Sequence, residues 1–235
     1  MWINLCFRKL RVVFQLVSIS IGLLLLGGPS AARASRGSMA ALRYAGITDL
    51  SMFLFESERL LFREHQPGDM EAYCALEADP EVRRYVGGAP RPHELAARKF
   101  RTTFLKNAAR KLALRATIFK PEGRYIGYSG LYPNFRPGGS VPGEAVLGFC
   151  LAREYWGRGL ASEAGRAFVN FGFDQLRLKR IVAVAEVGNA ASIRVLEKLG
   201  FVCTKTELGP RSFYRFELQP SPVSPGALRG LVGGA

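Results

Sequence analysis

Two glycines and an arginine stand directly before a helix-like run in the segment EYWGRGLASEA, residues 154–164. Gly157 and Gly159 flank Arg158, and apolar residues then recur at helical spacing from Leu160 to Leu176. The first turn of a helix has backbone N–H groups without partners, and the helix dipole favours negative charge there. Because glycine lets the backbone approach a ligand closely, the segment predicts a cradle for a phosphate or pyrophosphate, with Arg158 adding positive charge.

Two other interpretations of these glycines remain open at this point. The pair is also typical of an ordinary tight turn between a strand and a helix. Gly157-x-Gly159 further resembles the beginning of the G-x-G-x-x-G dinucleotide fingerprint. Against that third interpretation, Ser162 stands where another glycine or alanine belongs, and Glu186 comes late for the acid that would bind a ribose.

The segment KRIVAVAEVGNAASIRVLEKLGFV, which follows the predicted helix, adds a second pattern. The β-branched run from Ile181 to Ala185 predicts a buried strand. Asn189 and Ser192 open a short helix, and Gly200 is placed to end it. The predicted order is therefore strand, glycine turn, helix, strand, polar turn, short helix, strand.

Together these two segments resemble the GNAT superfamily of acetyl-CoA-dependent N-acetyltransferases, and within it the branch that includes the ribosomal-protein N-terminal acetyltransferases. The glycine motif runs from Trp156 to Ala161. The second motif is carried by Asn189, Ser192 and the run from Glu197 to Phe201. The resemblance extends from ESERLLFRE, near residue 56, to YRFEL, which ends at Leu218.

The resemblance implies an α/β fold with a central, mostly antiparallel mixed sheet of about seven strands, flanked by about four helices. Two neighbouring strands of that sheet would splay at the cofactor site. It also implies transfer of an acetyl group from acetyl-CoA, the co-substrate, to a primary amine. The acceptor could be a protein N-terminus, a side chain or a small molecule.

The cofactor-binding residues follow from the same resemblance. The pyrophosphate is expected on backbone N–H groups of the glycine loop, and the pantetheine arm is expected to pair like an extra strand along β-structure before that loop. An N–H group of that strand would also stabilise the oxyanion. The residues implied are Phe149, Cys150, Leu151, Gly157, Arg158, Gly159, Leu160, Ala161, Ser162 and Asn189.

The resemblance also gives a candidate acid for the leaving thiolate. Leu196 occupies the position of the tyrosine that many members use, so that acid is absent. In the resembled branch, a serine at the position of Ser192 is placed to protonate the sulfur. Ser192 and Asn189 are equally typical of a helix start and a turn, which is the alternative interpretation of both.

The resemblance does not supply a general base, because Val146 and Val184 occupy the two positions where the family carries glutamates. Glu144 and Glu186 each lie two residues from one of these valines, and strand alternation keeps them on the same sheet face. We expect Glu186 to act through a water molecule, since it ends a central strand. Glu144 and Glu207 are the other candidates, and an ordinary strand-end carboxylate is the alternative for Glu186.

Charge and composition leave the partner open. The net charge is +14, of which residues 1–51 contribute +5 with six basic residues and one acid. A basic surface suits an anionic cofactor, and it suits RNA or an acidic protein surface equally well. Besides the enzyme, we therefore consider a CoA-binding sensor and a ribosome- or RNA-associated module. A ribosomal protein or another basic-surface partner stays an alternative, and the sequence does not decide between a monomer and a homodimer.

The four cysteines and two histidines are scattered through the chain, without a C-x-x-C pair. This pattern predicts neither a structural metal site nor a disulfide framework. Cys150 and Cys203 fall in predicted strands, where we expect small buried residues rather than nucleophiles.

Composition divides the chain into three parts. Residues 1–51 have a basic start, an apolar run and small residues, which is typical of a signal or transit peptide. The alternative is that this segment comes from an over-extended reading frame. Residues 52–218 form the predicted acetyltransferase domain, and residues 219–235 form a low-complexity tail. Because acetyl-CoA is an intracellular compound, we expect a cytoplasmic location and no stable membrane association. Within the domain, a single first strand is expected at Arg59–Glu64, and PNFRPGGSVPG is expected to be a loop.

Overall fold

The computed structural model describes residues 54–107, 110–136 and 139–220. The expectations for residues 1–51 and for the tail beyond residue 220 lie outside these ranges, and the domain boundaries stay predictions. The strands are β1 (Leu54–Glu56), β2 (Leu60–Arg63), β3 (Leu114–Phe119), β4 (Arg124–Arg136), β5 (Gly139–Leu151), β6 (Arg180–Glu186), β7 (Val202–Glu207) and β8 (Phe213–Leu218). The helices are α1 (Met70–Ala78), α2 (Pro80–Arg83), α3 (His93–Lys99), α4 (Leu160–Asn170) and α5 (Ala190–Lys198).

The eight strands form one sheet in the order β1-β2-β3-β4-β5-β6-β8-β7. Among the strands of the described residues, only β5 and β6 pair in parallel, and all other neighbours are antiparallel. The predicted α/β fold with a mostly antiparallel mixed sheet is therefore confirmed. One strand more than expected is present because the predicted first strand is the second arm of a hairpin, where the Ser57 N–H donates to the Leu60 carbonyl at 2.9 Å.

Helices cover both faces of the sheet, and the pattern of α4 shows why. Leu160, Ala164 and Phe168 repeat every four residues, so they form one stripe, and all three are buried in the larger core cluster. Alternate residues of β5 enter different clusters: Leu151 joins that of α4, and Cys150 joins the cluster of α1 and α3. Since side chains alternate along a strand, these two clusters lie on opposite faces of the sheet.

The predicted loop at residues 133–143 is wrong, because most of this segment belongs to the long hairpin of β4 and β5. The three prolines of this segment favour a loop by composition, since proline lacks the N–H that a central strand needs. Here the register shifts between Pro133 and Phe135, so the hairpin accommodates the ring at an irregularity. Pro142 lies before Glu144, where pairing of β5 with β6 begins.

In the part of the chain that the structure describes, no helix is both long and apolar enough to cross a membrane.

Candidate active site

The strands β5 and β6 separate after a short parallel contact. Their paired residues run only from Glu144 opposite Arg180 to Val146 opposite Val182. Beyond this level β5 continues to Leu151 and β6 continues to Glu186 with no cross-strand pairing between them. The sheet thus opens a wedge-shaped gap between these two strands, as the resemblance implied.

Backbone alternation identifies which groups of β5 face the gap. The Gly143 carbonyl accepts from the Lys179 N–H on the β6 side, whereas the Ala152 N–H donates to the Ile126 carbonyl on the β4 side, each at 2.8 Å. N–H and C=O groups of successive strand residues point to alternate sides. The N–H groups of Phe149 and Leu151 therefore point into the gap, and the Cys150 N–H points toward β4.

The glycine loop ends at the mouth of α4, beside this gap. Gly157 and Gly159 have φ values of +71° and +77°, a left-handed backbone that favours glycine. Gly159 is the N-cap of α4 and brings no capping side chain, so the first N–H groups of the helix, at Leu160–Ser162, have no acceptor within it. A side chain at Gly157 would meet open space. The loop therefore presents unsatisfied donors to an accessible volume.

Trp156 fixes the loop to the end of β5. Its indole Nε1–H donates to the Leu151 carbonyl at 2.7 Å, while its ring is about half exposed. This bond occupies the outermost carbonyl of β5, so the approach to the gap begins beside the tryptophan ring.

The structure places Arg158 beside aromatic rings. Its guanidinium lies 4.7 Å from the ring centre of Phe119 and 5.2 Å from that of Tyr155, distances typical of cation–π contacts. Arg59 is a second cation at the loop, and the sequence analysis missed it. Its Nη1 donates to the Arg158 carbonyl at 3.1 Å, and its Nε pairs with Glu163 at 2.7 Å. Arg158 therefore adds positive charge to the loop, whereas the charge of Arg59 is matched by the Glu163 carboxylate.

The polar residues of the second motif stand at the start of α5. The Asn189 side chain accepts from the Ser192 N–H at 3.1 Å, so Asn189 caps the helix. The Ser192 side chain is half-buried, and no hydrogen bond to its hydroxyl is formed within the described ranges. Leu196 is buried in the core one turn later, and Gly200 ends the helix with a φ of +85°, as predicted.

Glu186 lies at the open end of the gap, where the sequence analysis expected it. It is the last residue of β6, and its carboxylate pairs with the Arg211 guanidinium. The same Arg211 donates to the Arg84 carbonyl at 3.2 Å. The hydrogen bond to Glu186 outweighs burial and raises the pKa of Arg211. The candidate base is therefore a carboxylate that already has a cationic partner.

The other two candidate bases lie elsewhere. Glu144 stands at the closed end of the β5–β6 contact, bonded to Arg180 and to the Asn134 amide at 2.7 Å. Burial alone would raise its pKa, but the hydrogen bonds from Arg180 and Asn134 hold the pKa of Glu144 below its usual value. Glu207 lies on the edge strand β7 with Lys205 at 3.1 Å. Neither residue faces the open gap.

The sheet face around the gap has valine at both family glutamate positions. Val146 is buried, whereas 54% of Val184 is exposed on the same face as Glu186. No carboxylate replaces either side chain there. Because valines stand at both positions, the family motif does not indicate which glutamate acts as the base.

The cysteines behave differently from one another. Cys150 is buried, and burial raises the pKa of its thiol to about 12, so it is an inert strand residue as expected. The expectation for Cys203 is wrong, because its side chain is exposed. It lies on β7, a sheet-edge strand whose residues are all exposed.

A buried charge cluster near the gap was also missed. Glu77 of α1 is 2% exposed and contacts Arg83, Arg91 and Lys99. In the sequence these residues look like the ordinary polar side of short helices, so no local signal distinguishes them. Within the described ranges, no group of three or more metal-ligating side chains is found.

The comparison with protein families agrees with this geometry. Residues 59–202 match the profile of the Acetyltransferase (GNAT) domain. The uncharacterized N-acetyltransferase p20 of Bacillus licheniformis is 32% identical over 149 residues, which span 62% of this chain and 80% of p20. The putative ribosomal N-acetyltransferase YdaF of Bacillus subtilis is 36% identical over 59 residues, or 25% of this chain and 32% of YdaF.

Solved structures share the fold. An acetyltransferase of the GNAT family from Bacillus anthracis has a TM-score of 0.62 at 24% identity, covering 71% of this chain and 98% of that chain. Spermidine N-acetyltransferase from Vibrio cholerae, in complex with CoA and spermine, has a TM-score of 0.57 at 18% identity, covering 69% and 96%.

The chain belongs to the GNAT family of acetyltransferases. The resemblance seen in the sequence is confirmed, and the relatives include a putative ribosomal N-acetyltransferase. The protein is thus an acyltransferase of the N-acetyltransferase class, from a family that uses acetyl-CoA.

Proposed function

We propose that the chain transfers an acetyl group from acetyl-CoA to a primary amine at the gap between β5 and β6. The observation that carries this proposal is the cradle of unsatisfied N–H groups at the mouth of α4, directly beside unpaired N–H groups of β5. An anion binds the first set favourably, and an extended amide-bearing chain can pair with the second. The pyrophosphate and pantetheine of acetyl-CoA have these two features in this order.

We assign the cofactor contacts accordingly. The pyrophosphate binds the N–H groups of Gly157–Ser162. The Arg158 guanidinium stays against its aromatic neighbours and attracts the pyrophosphate from a distance through its positive charge. The pantetheine arm pairs with the backbone of Phe149 and Leu151. Cys150 lies between these two residues, but its N–H points toward β4 and does not bind the pantetheine arm. Asn189 holds the start of α5 against the cofactor.

The chemistry needs two proton transfers. The amine nitrogen attacks the thioester carbonyl, an N–H group of β5 stabilises the oxyanion, and the carbon–sulfur bond then breaks. Glu186 accepts the amine proton through a water molecule, and the Ser192 hydroxyl donates a proton to the leaving thiolate. The Glu186 carboxylate is already paired with Arg211, so the water that carries the amine proton must share this carboxylate with the guanidinium.

One observation favours a second candidate, a CoA-binding sensor with little turnover. Both family carboxylate positions are valine, and Glu186 is already paired with arginine. Release of free CoA from acetyl-CoA in the presence of an amine library separates the two functions, because only the enzyme produces acceptor-dependent thiol.

Calorimetric titration with CoA tests the cradle. Gly159→Leu puts a side chain at the mouth of α4, and we expect CoA binding to weaken by about 100-fold or more. Gly123→Leu is the matched control, since Gly123 also has a positive φ, +60°, and open space around it in the β3–β4 turn. Unchanged binding by the Gly159 variant would contradict the assignment of the loop.

A further inference from the structure

The connection between α2 and α3, residues 84–92, contacts residues at the open end of the gap. At one end, the Arg84 carbonyl accepts from Arg211, the partner of Glu186. The Tyr85 ring lies 3.4 Å from the point where a side chain on Gly188 would begin, so the connection also reaches the turn after β6. At the other end, the Arg91 N–H donates to the Glu77 carbonyl at 2.8 Å. The α2–α3 connection therefore joins the Glu77 carboxylate to the open end of the gap.

The Glu77 end of this connection carries more positive than negative charge. The carboxylate of Glu77 contacts Arg91 at 2.6 Å, Arg83 at 3.2 Å and Lys99 at 3.2 Å. Its other hydrogen bond comes from the Tyr73 hydroxyl, which is neutral. One carboxylate therefore faces three cations. Near the Arg84 end, by contrast, Glu81 and Glu186 are each matched with one arginine.

Two of these cations are accessible. The Arg83 side chain is 5% exposed, and it fixes the connection by donating to the Ala89 carbonyl. The side chains of Arg91 and Lys99, however, are 30% and 32% exposed. Burial still lowers the pKa of Lys99, although the Glu77 charge opposes the shift. Lys99 and Arg91 are therefore partly buried cations that a bound molecule can still reach from solvent.

These cations lie near the strand that borders the gap. Glu77 belongs to α1 and Lys99 to α3, and both helices pack on the cluster in which Cys150 of β5 is buried. The charges of Glu77, Lys99 and Arg83 all act on the Cys150 thiol. Cys150 is the β5 residue between Phe149 and Leu151, whose N–H groups face the gap.

We propose that the acceptor amine carries an anionic group, a carboxylate or a phosphate, which Lys99 and Arg91 bind while the amine enters the gap. This inference rests on the proposed acetyl transfer and names the substrate class of the same site. An anion beside Lys99 and Arg91 neutralises charge that Glu77 leaves uncompensated, whereas a polycation meets like charge there. Polyamines are therefore excluded as good acceptors.

The test uses matched acceptors with the full-length chain. β-Alanine is compared with β-alaninamide, and O-phosphoethanolamine with 2-methoxyethylamine, while spermidine represents the polyamines. Each kcat/KM is divided by the fraction of the amine that is unprotonated at the assay pH. We expect the anionic member of a pair to be favoured by about tenfold or more, with spermidine slowest. The two pairs separate carboxylate from phosphate as the preferred anion.

Variants identify the residues responsible. Lys99→Met should reduce the ratio of anionic to neutral acceptor by about tenfold, chiefly through KM, whereas Lys99→Arg should preserve it. Lys198→Met is the matched control, since Lys198 is an exposed lysine at the end of α5. A thermal melt shows that each variant is folded, and calorimetry shows that it still binds CoA.

Three results would overturn the inference while CoA binding remains intact. These are equal rates for charged and neutral members, a preference for spermidine, or no acetylation of any anionic acceptor. A Lys99→Met variant that slows both members of a pair equally would also count against it. Loss of CoA binding by the unmodified protein would instead contradict the proposed function itself.

Discussion

The stability of the fold should depend on pH through one buried histidine. His65 is 4% exposed, and its ring packs edge-on against Phe104 at 4.7 Å and Phe100 at 5.5 Å. Neither ring nitrogen has a hydrogen-bond partner within the described ranges. Burial lowers the pKa of His65 from 6.5 to about 3, with Asp69 opposing the shift and Arg63 reinforcing it.

The direction of this pH dependence follows from the protonation of His65 in the folded and the unfolded chain. Above pH 6.5 His65 is neutral in both the folded and the unfolded chain, so it contributes no pH dependence. Below pH 6.5 the unfolded chain binds a proton that the folded chain does not, and the free energy of unfolding falls until about pH 3. At pH 5 the difference spans 1.5 pH units, which corresponds to about 2 kcal/mol.

Urea denaturation at pH 7.5 and pH 5 measures this effect. His65→Phe keeps a ring against the two phenylalanines and removes the titration, so it should lose about 2 kcal/mol less stability than the wild type between these pH values. At pH 7.5 the variant should be at least as stable, because an unpaired buried polar group is removed. The reasoning is refuted if both proteins lose the same stability.

The chain contains its own control. His93 is the other histidine, exposed on α3 and 3.0 Å from the Glu71 carboxylate. Exposed pairs of this kind contribute little to stability, so His93→Gln should follow the wild type within about 0.5 kcal/mol.

Three further predictions concern the Glu144 ion pairs, the glycine loop and the exposure of the cysteines. Glu144→Gln leaves Arg180 and Arg136 without their shared carboxylate, so the free energy of unfolding should fall by about 2 kcal/mol or more in urea denaturation, with no loss if the cluster is unimportant. Trp156→Phe removes the bond to the Leu151 carbonyl, and CoA should bind about fivefold more weakly by calorimetry, while unchanged affinity would show that the bond does not position the loop. In a Cys6→Ser background, an aromatic disulfide reagent should modify Cys203 rapidly and the buried Cys74 and Cys150 only on unfolding, and fast reaction of more than one thiol would contradict the burial described.

Much of the fold could be predicted because local signals agreed with tertiary structure. The stripe of α4, the glycine that ends α5 and the β-branched run of β6 each carry their own periodicity or cap. The hairpin of β4 and β5 could not be predicted from composition, since a register shift tolerates Pro133 where a regular strand would not. Exposure of Cys203 depends on β7 being an edge strand, which is a property of strand order and not of its residues.

The candidate site divides in the same way. Gly157 and Gly159 are required by the local backbone geometry, so the sequence alone predicts a loop at these positions. The pairing of Glu186 with Arg211 joins residues 25 positions apart, and the Glu77 cluster joins three elements. Such partners are brought together only by tertiary packing, so their spacing in the sequence does not predict that they pair.

Amide NMR of the isotopically labelled protein, titrated with CoA, tests the central claim most directly. If backbone donors hold the cofactor, the N–H signals of Gly157, Gly159, Phe149 and Leu151 should shift strongly. The Cys150 N–H, which points toward β4, should shift much less. Equal shifts along the whole strand, or none at the mouth of α4, would contradict the account.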